Sequence, residues 1–156
     1  MHWNSGTDYY LPYGEMVSER LCWGWIDSVP RKVDAARTSH LISPRSPGSA
    51  WSGVNKAKVA EARAAGAMTP AGEAAIAAAE ASGGWSFLDD VERLEVPDDL
   101  ADALGAHRAG WDALPRSVRR GTLEWPKTAR REATREARLR GIAAALAEGR
   151  QPPPGG

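Results

Sequence analysis

Two alanine-rich segments in the middle of the chain constrain its fold most strongly. Thirteen alanines lie between Ala57 and Ala81 in a sequence of 156 residues. Alanine favours helix more than any other residue, but its side chain buries little apolar area. The segments therefore predict two closely packed helices whose core needs larger partners, and Met68, Ile76 and Trp85 are the nearest candidates.

Residues that cap or break helices mark the ends of both segments. Ser52 can cap the first helix, and Gly66 fits the C′ position that follows its last turn. Thr69 can cap the second helix with Pro70 in its first position, and Gly83 stops it. The sequence thus predicts helices over about 54–65 and 70–82.

A stretch rich in tryptophan and polar side chains precedes these helices. It includes a predicted helix over 14–23 that ends at Gly24. Residues 25–31 and 38–42 are short segments rich in β-branched residues, so we expect a small two-stranded element. Residues 43–53 have the proline, glycine and serine content of a stiff loop.

The last third of the chain predicts a compact helical unit. After a connector over 86–97, Asp98 or Asp99 is expected to cap a short helix. Two longer helices follow, and their apolar faces are predicted from residue spacing as Trp111, Leu114, Val118, Thr122 and Trp125, then Leu139, Ile142, Ala143 and Leu146. The fold class is mainly α with a small β element (α+β). Its parts are 1–85, 86–150 and a disordered tail over 151–156.

Opposite charges are segregated within this last third. Residues 89–102 contain seven acidic residues and one arginine, whereas residues 116–140 contain nine Lys or Arg and three Glu. Pairing between the two segments, with surface pairs such as Glu136 and Arg140, is one interpretation. A basic face for phosphate or nucleic acid is the other.

Composition excludes several classes of function. The formal net charge is zero, which gives the whole molecule no electrostatic reason to bind nucleic acid or an anionic membrane. One cysteine and three scattered histidines argue against a disulfide, a metal site or a catalytic triad, and no cofactor motif is present. Without a long apolar run or a basic, apolar start, we expect a soluble cytoplasmic protein, with a homodimer as a possible assembly.

Three tryptophans before the alanine-rich segments are candidate pocket residues. Trp23 and Trp25 would face the same side of an extended segment, and one could line a cavity while the other packs in the core. Trp51, in the stiff loop, either fills a core or covers a ligand. Cys22, between large apolar residues, is expected to be buried and inert.

Polar residues near these tryptophans suggest chemistry. Asp27 is expected to be partly buried, which would raise its pKa unless a cation pairs with it, and the nearby candidates are Arg45, Arg31 and Lys32. In the alternative interpretation, Asp27 is a general acid or base, and Arg45 holds an anionic or carbonyl group of a ligand. Asn55 could orient a water molecule or a polar substituent, or bond the preceding loop.

Several sequence blocks resemble one known family. The blocks LCWGWID, SPRSPGSAWSGVN, GAMTPAG and GGW run from Leu21 to Trp85, and a weaker match, LPRSVRRGTLEWPKTARREATREARL, extends to Leu139. Together they resemble the YdeI/OmpD-associated (bacteriocin-protection, OmdA-like) family. The resemblance implies a role in tolerance of a toxic compound or stress, without a single settled activity. Family members usually begin with an additional segment before the first helix, so we expect either that the N-terminus is shortened here or that Trp3, Tyr9, Tyr10 and Tyr13 replace the packing which that segment provides.

Three functional hypotheses follow. The first is a cytoplasmic small-molecule-binding protein with an aromatic-lined pocket formed by Trp23, Trp25, Asp27, Arg45, Trp51 and Asn55. The second is an enzyme that opens or closes a ring with Asp27 as acid or base. The third is a protein or nucleic-acid interaction module that uses the basic residues of 116–140. No metal and no cofactor is expected in any of them.

Overall fold

A computed structural model describes residues 2–4, 12–27, 29–35 and 37–153, with side chains from residue 12 onward. The chain divides into two compact units, Met1–Phe87 and Leu88–Gly156. We call them the first unit and the second unit. Helices dominate and strands are few and short, which confirms the predicted fold class of mainly α with a small β element.

The first unit combines helices with two small sheets. Its helices are α1 (Tyr13–Cys22), α2 (Gly53–Ala64) and α3 (Pro70–Ser82). Its strands are β1 (His2–Asn4), β2 (Trp25–Asp27), β3 (Arg31–Lys32), β4 (Arg37–Ser39) and β5 (Ile42–Pro44).

Strand pairing differs from the single two-stranded element that the sequence predicts. β2 pairs antiparallel with β5, with Trp25 opposite Pro44, while β4 pairs with both β1 and β3. Each predicted strand is therefore split between two sheets, and the predicted loop begins inside β5. The prediction was wrong because segments of two or three residues carry too short a pattern to fix a partner. Tyr9 and Tyr10 lie outside the described residues, so their predicted packing is untested.

Local capping chemistry sets the ends of α2 and α3 as predicted. The Ser52 hydroxyl accepts a hydrogen bond from the Asn55 amide at 3.3 Å, and the Thr69 hydroxyl accepts one from the Gly72 amide at 3.2 Å. Gly66 and Gly83 follow the two helices with positive φ angles of 66° and 80°, the left-handed conformation that glycine adopts without strain.

The end of α1 lies directly against the start of α3. The Cys22 carbonyl accepts hydrogen bonds from both the amide and the hydroxyl of Thr69, at 3.1 and 2.6 Å. A Cβ atom on Gly72 would overlap this carbonyl, and one on Gly24 would come within 2.6 Å of the Ala75 side chain. Gly24 also has a φ of +70°, so glycine is required there both by the lack of space for a Cβ atom and by the backbone conformation. These contacts fix the turn that carries Trp23 and leads into β2.

The core of the first unit is built around a tryptophan. Buried side chains of α1, α2 and α3 surround Trp51, with Trp85 packed beside it at 5.1 Å between ring centroids. The large partners that the alanine-rich helices require therefore come from the loop before α2 and the turn after α3. The buried members of this cluster are Leu21, Trp51, Val59, Ile76 and Ala79.

The second unit is helical throughout its described part. Its helices are α4 (Asp89–Glu92), α5 (Asp98–Leu104), α6 (Arg108–Asp112), α7 (Arg116–Lys127) and α8 (Glu132–Ala147), with a 3₁₀ turn over Gly105–His107. The predicted connector thus contains a helical turn. The predicted cap of α5 was wrong: the helix follows Pro97, and the Asp99 carboxylate accepts instead from the neighbouring Leu100 amide.

Only some residues of the predicted apolar faces are buried in the second unit. Leu139 and Ile142 of α8 are buried as expected, and so are Trp111 and Thr122, but Trp125 is only partly buried. Further buried side chains that the spacing did not indicate are Leu100, Leu104, Leu123, Pro126 and Ala145. Pro152 is also buried, and the predicted disordered tail stays a prediction for residues 154–156, which lie outside the described residues.

The segregated charges of the second unit pair with each other. Ion pairs join Lys127 to Asp90, Arg120 to Glu92 and Arg135 to Asp99. The surface pair between Glu136 and Arg140 is present at 3.7 Å. Intramolecular pairing, the first of the two predicted interpretations, is therefore confirmed for these residues. Among the described residues, no helix is both long enough and apolar enough to span a bilayer.

Candidate functional site

Asp27 lies at the centre of a polar cluster in the first unit. At the end of β2, its carboxylate forms an ion pair with Arg20 of α1, at 2.5 Å between Nη1 and Oδ1. The Tyr13 hydroxyl donates a hydrogen bond to Oδ2 at 3.0 Å. Nδ1 of His40 lies 3.3 Å from the same oxygen, although the alignment falls short of a hydrogen bond. We call these four residues the Asp27 cluster.

These partners keep Asp27 ionised. Burial alone would raise the pKa of its carboxyl, but the contacts with Arg20 and the Tyr13 hydroxyl outweigh burial and hold the pKa below the ordinary value of 3.8. The pKa of Tyr13 is raised, first by burial and then by its hydrogen bond to Asp27. The cation that pairs with Asp27 is Arg20, which was not among the predicted partners. A carboxylate held in this state is poorly suited to give up a proton near neutral pH.

The cluster joins residues that are distant in the sequence. The turn at Gly24 reverses the chain after α1, so that β2 runs back beside the helix and brings Asp27 to Arg20. His40 arrives from the segment before β5. One signal was available in the sequence: Arg20 shares a helical face with Met16 and Leu21, and an arginine on a buried face needs an anionic partner.

Arg45 is a second buried guanidinium near this cluster. Its Nη2 donates to the Ala50 carbonyl at 2.5 Å, and its Cζ atom lies 4.0 Å from the centroid of the Trp51 ring. Its Nε has no hydrogen-bond partner among the described residues. Burial, followed by repulsion from Arg20, lowers the pKa of Arg45 to about 10, so the side chain remains charged at neutral pH. Arg45 thus contacts the Trp51 loop, through the Ala50 carbonyl and the Trp51 ring, instead of pairing with Asp27.

Four of the six predicted site residues do meet at one cavity. Trp25, Asp27, Arg45 and Asn55 line a space of about 30 Å³, together with Arg20 and neighbouring apolar side chains. A single water molecule needs roughly 10–15 Å³ of such space. The space inside the cavity therefore suits a water molecule or a single small ion. Binding of a small-molecule ligand among these residues stays a prediction.

Trp51 does not line this cavity. Its side chain is 0% exposed and belongs to the core, with its indole N–H unpaired among the described residues. Of the two predicted roles, filling a core or covering a ligand, the structure places Trp51 in the first. The stiffness of the loop serves to hold a large side chain inside the unit.

Trp23 and Trp25, by contrast, lie at the surface. They are 52% and 41% exposed, and with Ile42, Glu19 and Arg20 they line a depression of about 220 Å³ whose exposed surface is almost wholly apolar. The indole N–H of Trp23 donates to Glu19 Oε1 at 3.0 Å, which fixes one wall of the depression. The two tryptophans therefore line the same depression, although Trp23 and Gly24 form a turn and not an extended segment.

Glu19 also borders a second, larger groove. This groove of about 480 Å³ runs between α1 and α2, and its floor contains small residues such as Ala62 and Ala65. Its walls carry Glu15, Glu19 and Glu61, and one lysine, Lys58, whose ammonium is bonded to Ser18 and the Gly14 carbonyl. Glu19 thus lines both the apolar depression and a groove with an excess of acidic side chains.

Cys22 is buried as predicted. Burial raises the pKa of its thiol, which keeps it in the unreactive protonated form near neutral pH. In the part of the chain that the structure describes, no group of three or more His, Cys, Asp or Glu side chains is arranged to hold a metal ion.

The fold and these clusters define a mainly helical protein of two units, with a buried arginine–aspartate pair and an aromatic surface in the first. Residues 93–149 match the family model described as "Bacteriocin-protection, YdeI or OmpD-Associated". This part of the chain is therefore similar to the YdeI/OmpD-associated family.

The family model matches a different part of the chain from the one that carries the stronger sequence blocks. It covers the segment in which the sequence blocks were weaker, whereas residues 2–75 match a different model, a domain of unknown function (DUF8412). No curated protein and no solved structure matches the chain.

Proposed function

We propose that the chain protects against a toxic compound by binding it at the aromatic depression of Trp23, Trp25 and Ile42. The broad protective role rests on the family match of residues 93–149. The binding site rests on one observation, the two half-exposed tryptophans that a rigid turn holds beside each other. Large aromatic side chains held at a surface are a common feature of binding sites, because they offer flat apolar area at little entropic cost.

The surroundings of the depression suggest the class of ligand. A volume of about 220 Å³ suits one flat ring system, and it lies below the roughly 300–1,000 Å³ of most ligand pockets. A larger ligand would extend across Glu19 into the acidic groove. We therefore expect an apolar, aromatic compound that carries a positive charge, since the side chains of Glu15, Glu19 and Glu61 would favour a cation.

A matched pair of dyes tests this proposal directly. Acridine is uncharged in mildly alkaline buffer, and 10-methylacridinium has nearly the same shape with a permanent positive charge. We expect both to bind the native protein, with the cation binding about tenfold more tightly, a difference that corresponds to about 1.4 kcal/mol. Calorimetric titration measures both affinities.

Three variants separate the contributions to binding. Trp23→Ala combined with Trp25→Ala should abolish binding of both dyes, whereas Glu19→Gln should weaken only the cation. The control is Val54→Ala, which alters an exposed apolar residue of the same unit that lines none of the cavities described above. Equal binding to the native protein and the double tryptophan variant would contradict the proposal.

The alternatives have less support. An enzyme with Asp27 as its acid needs that carboxyl to hold a proton, which Arg20 and Tyr13 oppose, and the lowered pKa makes the ionised carboxylate a weak base near neutral pH. A nucleic-acid module needs free basic residues, and several of those in 116–140 pair with acidic residues of the same unit. Cytoplasmic location and a homodimer stay predictions.

A further inference from the structure

The cavity beside Asp27 has an unbalanced charge. Arg20 and Arg45 are 7% and 8% exposed, and both line it. Asp27 is the carboxylate that lines it, so the charged groups of the lining carry a net charge of about +1 (two guanidinium groups against one carboxylate). Taking a charge out of water without a counter-charge is costly, so this arrangement favours the entry of an anion.

The residues that line the cavity also supply hydrogen-bond donors. Nε of Arg45 is buried and has no hydrogen-bond partner among the described residues. Asn55, whose side-chain amide has two N–H donors, also lines the cavity. An unpaired buried N–H costs free energy that an acceptor in the cavity would recover.

Size restricts what can enter. The cavity is partly open, and the space inside it is about 30 Å³, which suits one small ion better than a sulfate, a phosphate or the carboxylate of a larger molecule. We infer that Arg20, Arg45 and Asn55 form a binding site for a single-atom anion of the chloride class. This inference does not rest on the proposed function, because it concerns the cavity beside Asp27 and not the aromatic depression, although Arg20 and Trp25 line both.

The bound anion would act on the Trp51 loop. Arg45 lies over the Trp51 ring and donates to the Ala50 carbonyl, so an anion on its free edge would fix the guanidinium in that position. It would also reduce the repulsion between the two guanidinium groups of Arg45 and Arg20. The site would thus couple the concentration of chloride to the stability of the first unit.

Line broadening in chloride NMR tests the inference on the native protein. We expect saturable broadening from one site, with bromide displacing chloride and with gluconate and sulfate failing to displace it at equal ionic strength. Broadening that never saturates, or displacement by gluconate and sulfate as readily as by bromide, would overturn the inference, because such behaviour indicates ions at the open surface.

Two arginine variants complete the experiment. Arg45→Met should lower the affinity for chloride at least tenfold. Arg63→Met is the matched control, because Arg63 is an exposed arginine of the same unit that pairs with Glu73, and it should leave the affinity unchanged. Equal losses in both variants would overturn the inference. If Arg45→Met fails to fold, the displacement series with the native protein still decides the question.

Discussion

Trp51 and the pair Trp23 and Trp25 occupy opposite environments although they lie within one short stretch of chain. Trp51 is fully buried, and the loop around it is tied to the end of α3 by hydrogen bonds from Ser82 to the Pro47 carbonyl and from the Trp51 amide to the Gly84 carbonyl. The pair lies at the turn after α1 and remains half exposed. The comparison teaches that a stiff, tryptophan-bearing loop does not by itself indicate a pocket.

Removing Trp51 should have the largest effect on stability. Trp51→Ala would leave a cavity at the centre of the core of the first unit, so we expect a loss of about 3–5 kcal/mol in its free energy of unfolding. Hydrogen exchange of the α2 and α3 amides under native conditions measures this loss in the first unit alone. A loss below about 1 kcal/mol would mean that Trp51 is not a core residue, and the comparison would fail.

Breaking the Arg20–Asp27 pair should have the next largest effect. Arg20→Met leaves a carboxylate without its buried cation, and we expect a loss of about 3 kcal/mol, with a smaller loss for Asp27→Asn. The double variant should lose less than the sum of the two single losses, because the second change removes a group that the first left unpaired. If the loss of the double variant equals the sum of the two single losses, the interaction between Arg20 and Asp27 does not stabilise the fold.

Acid should weaken the first unit through the same pair. The pKa of Asp27 is lower in the folded protein than its ordinary value of 3.8, so its contribution to stability is present above that value and is lost as the pH falls through the folded pKa. In Asp27→Asn this part of the acid dependence should disappear. Exchange of the α3 amides of both proteins across the acidic range measures the difference, and parallel curves would contradict the assignment.

Removing the exposed tryptophans should have the smallest effect. Trp23→Ala together with Trp25→Ala deletes more aromatic area than Trp51→Ala, but about half of that area is already in contact with water. We expect a combined loss of about 1 kcal/mol in the free energy of unfolding. A loss as large as that of Trp51→Ala would show that the pair is structural and would weaken its proposed role in binding.

The sequence predicts what depends on neighbouring residues. The caps of α2 and α3 follow from Ser52 and Thr69, whose hydroxyls reach amides three residues ahead, and the helix stops follow from Gly66 and Gly83. Strand pairing in the first unit depends on contacts between distant segments of two or three residues, which carry too little pattern to be read from the sequence.

The candidate site likewise has some features that the sequence predicts and others that depend on contacts between distant segments. Four predicted residues meet at one cavity, yet its volume of about 30 Å³ is set by how closely α1, β2 and the Trp51 loop pack, which no residue spacing encodes. Arg20 lies on the buried face of α1, but its partner depends on the turn at Gly24, which brings Asp27 back beside the helix. Charge pairing in the second unit was predictable because composition alone separates acidic residues from basic ones.

The contact between Cys22 and Thr69 also bears on the order of folding. The two residues lie 47 positions apart, and the carbonyl of the first accepts two hydrogen bonds from the second. Closing so long a loop lowers the entropy of the chain before stabilising contacts form. We therefore expect this junction to form more slowly than the helices that it joins. During synthesis, the aromatic turn can reach its final conformation only after residues 69–72 have left the ribosome. A chain that stops short of Thr69 would retain every residue of the aromatic depression and still lack the contact that fixes it.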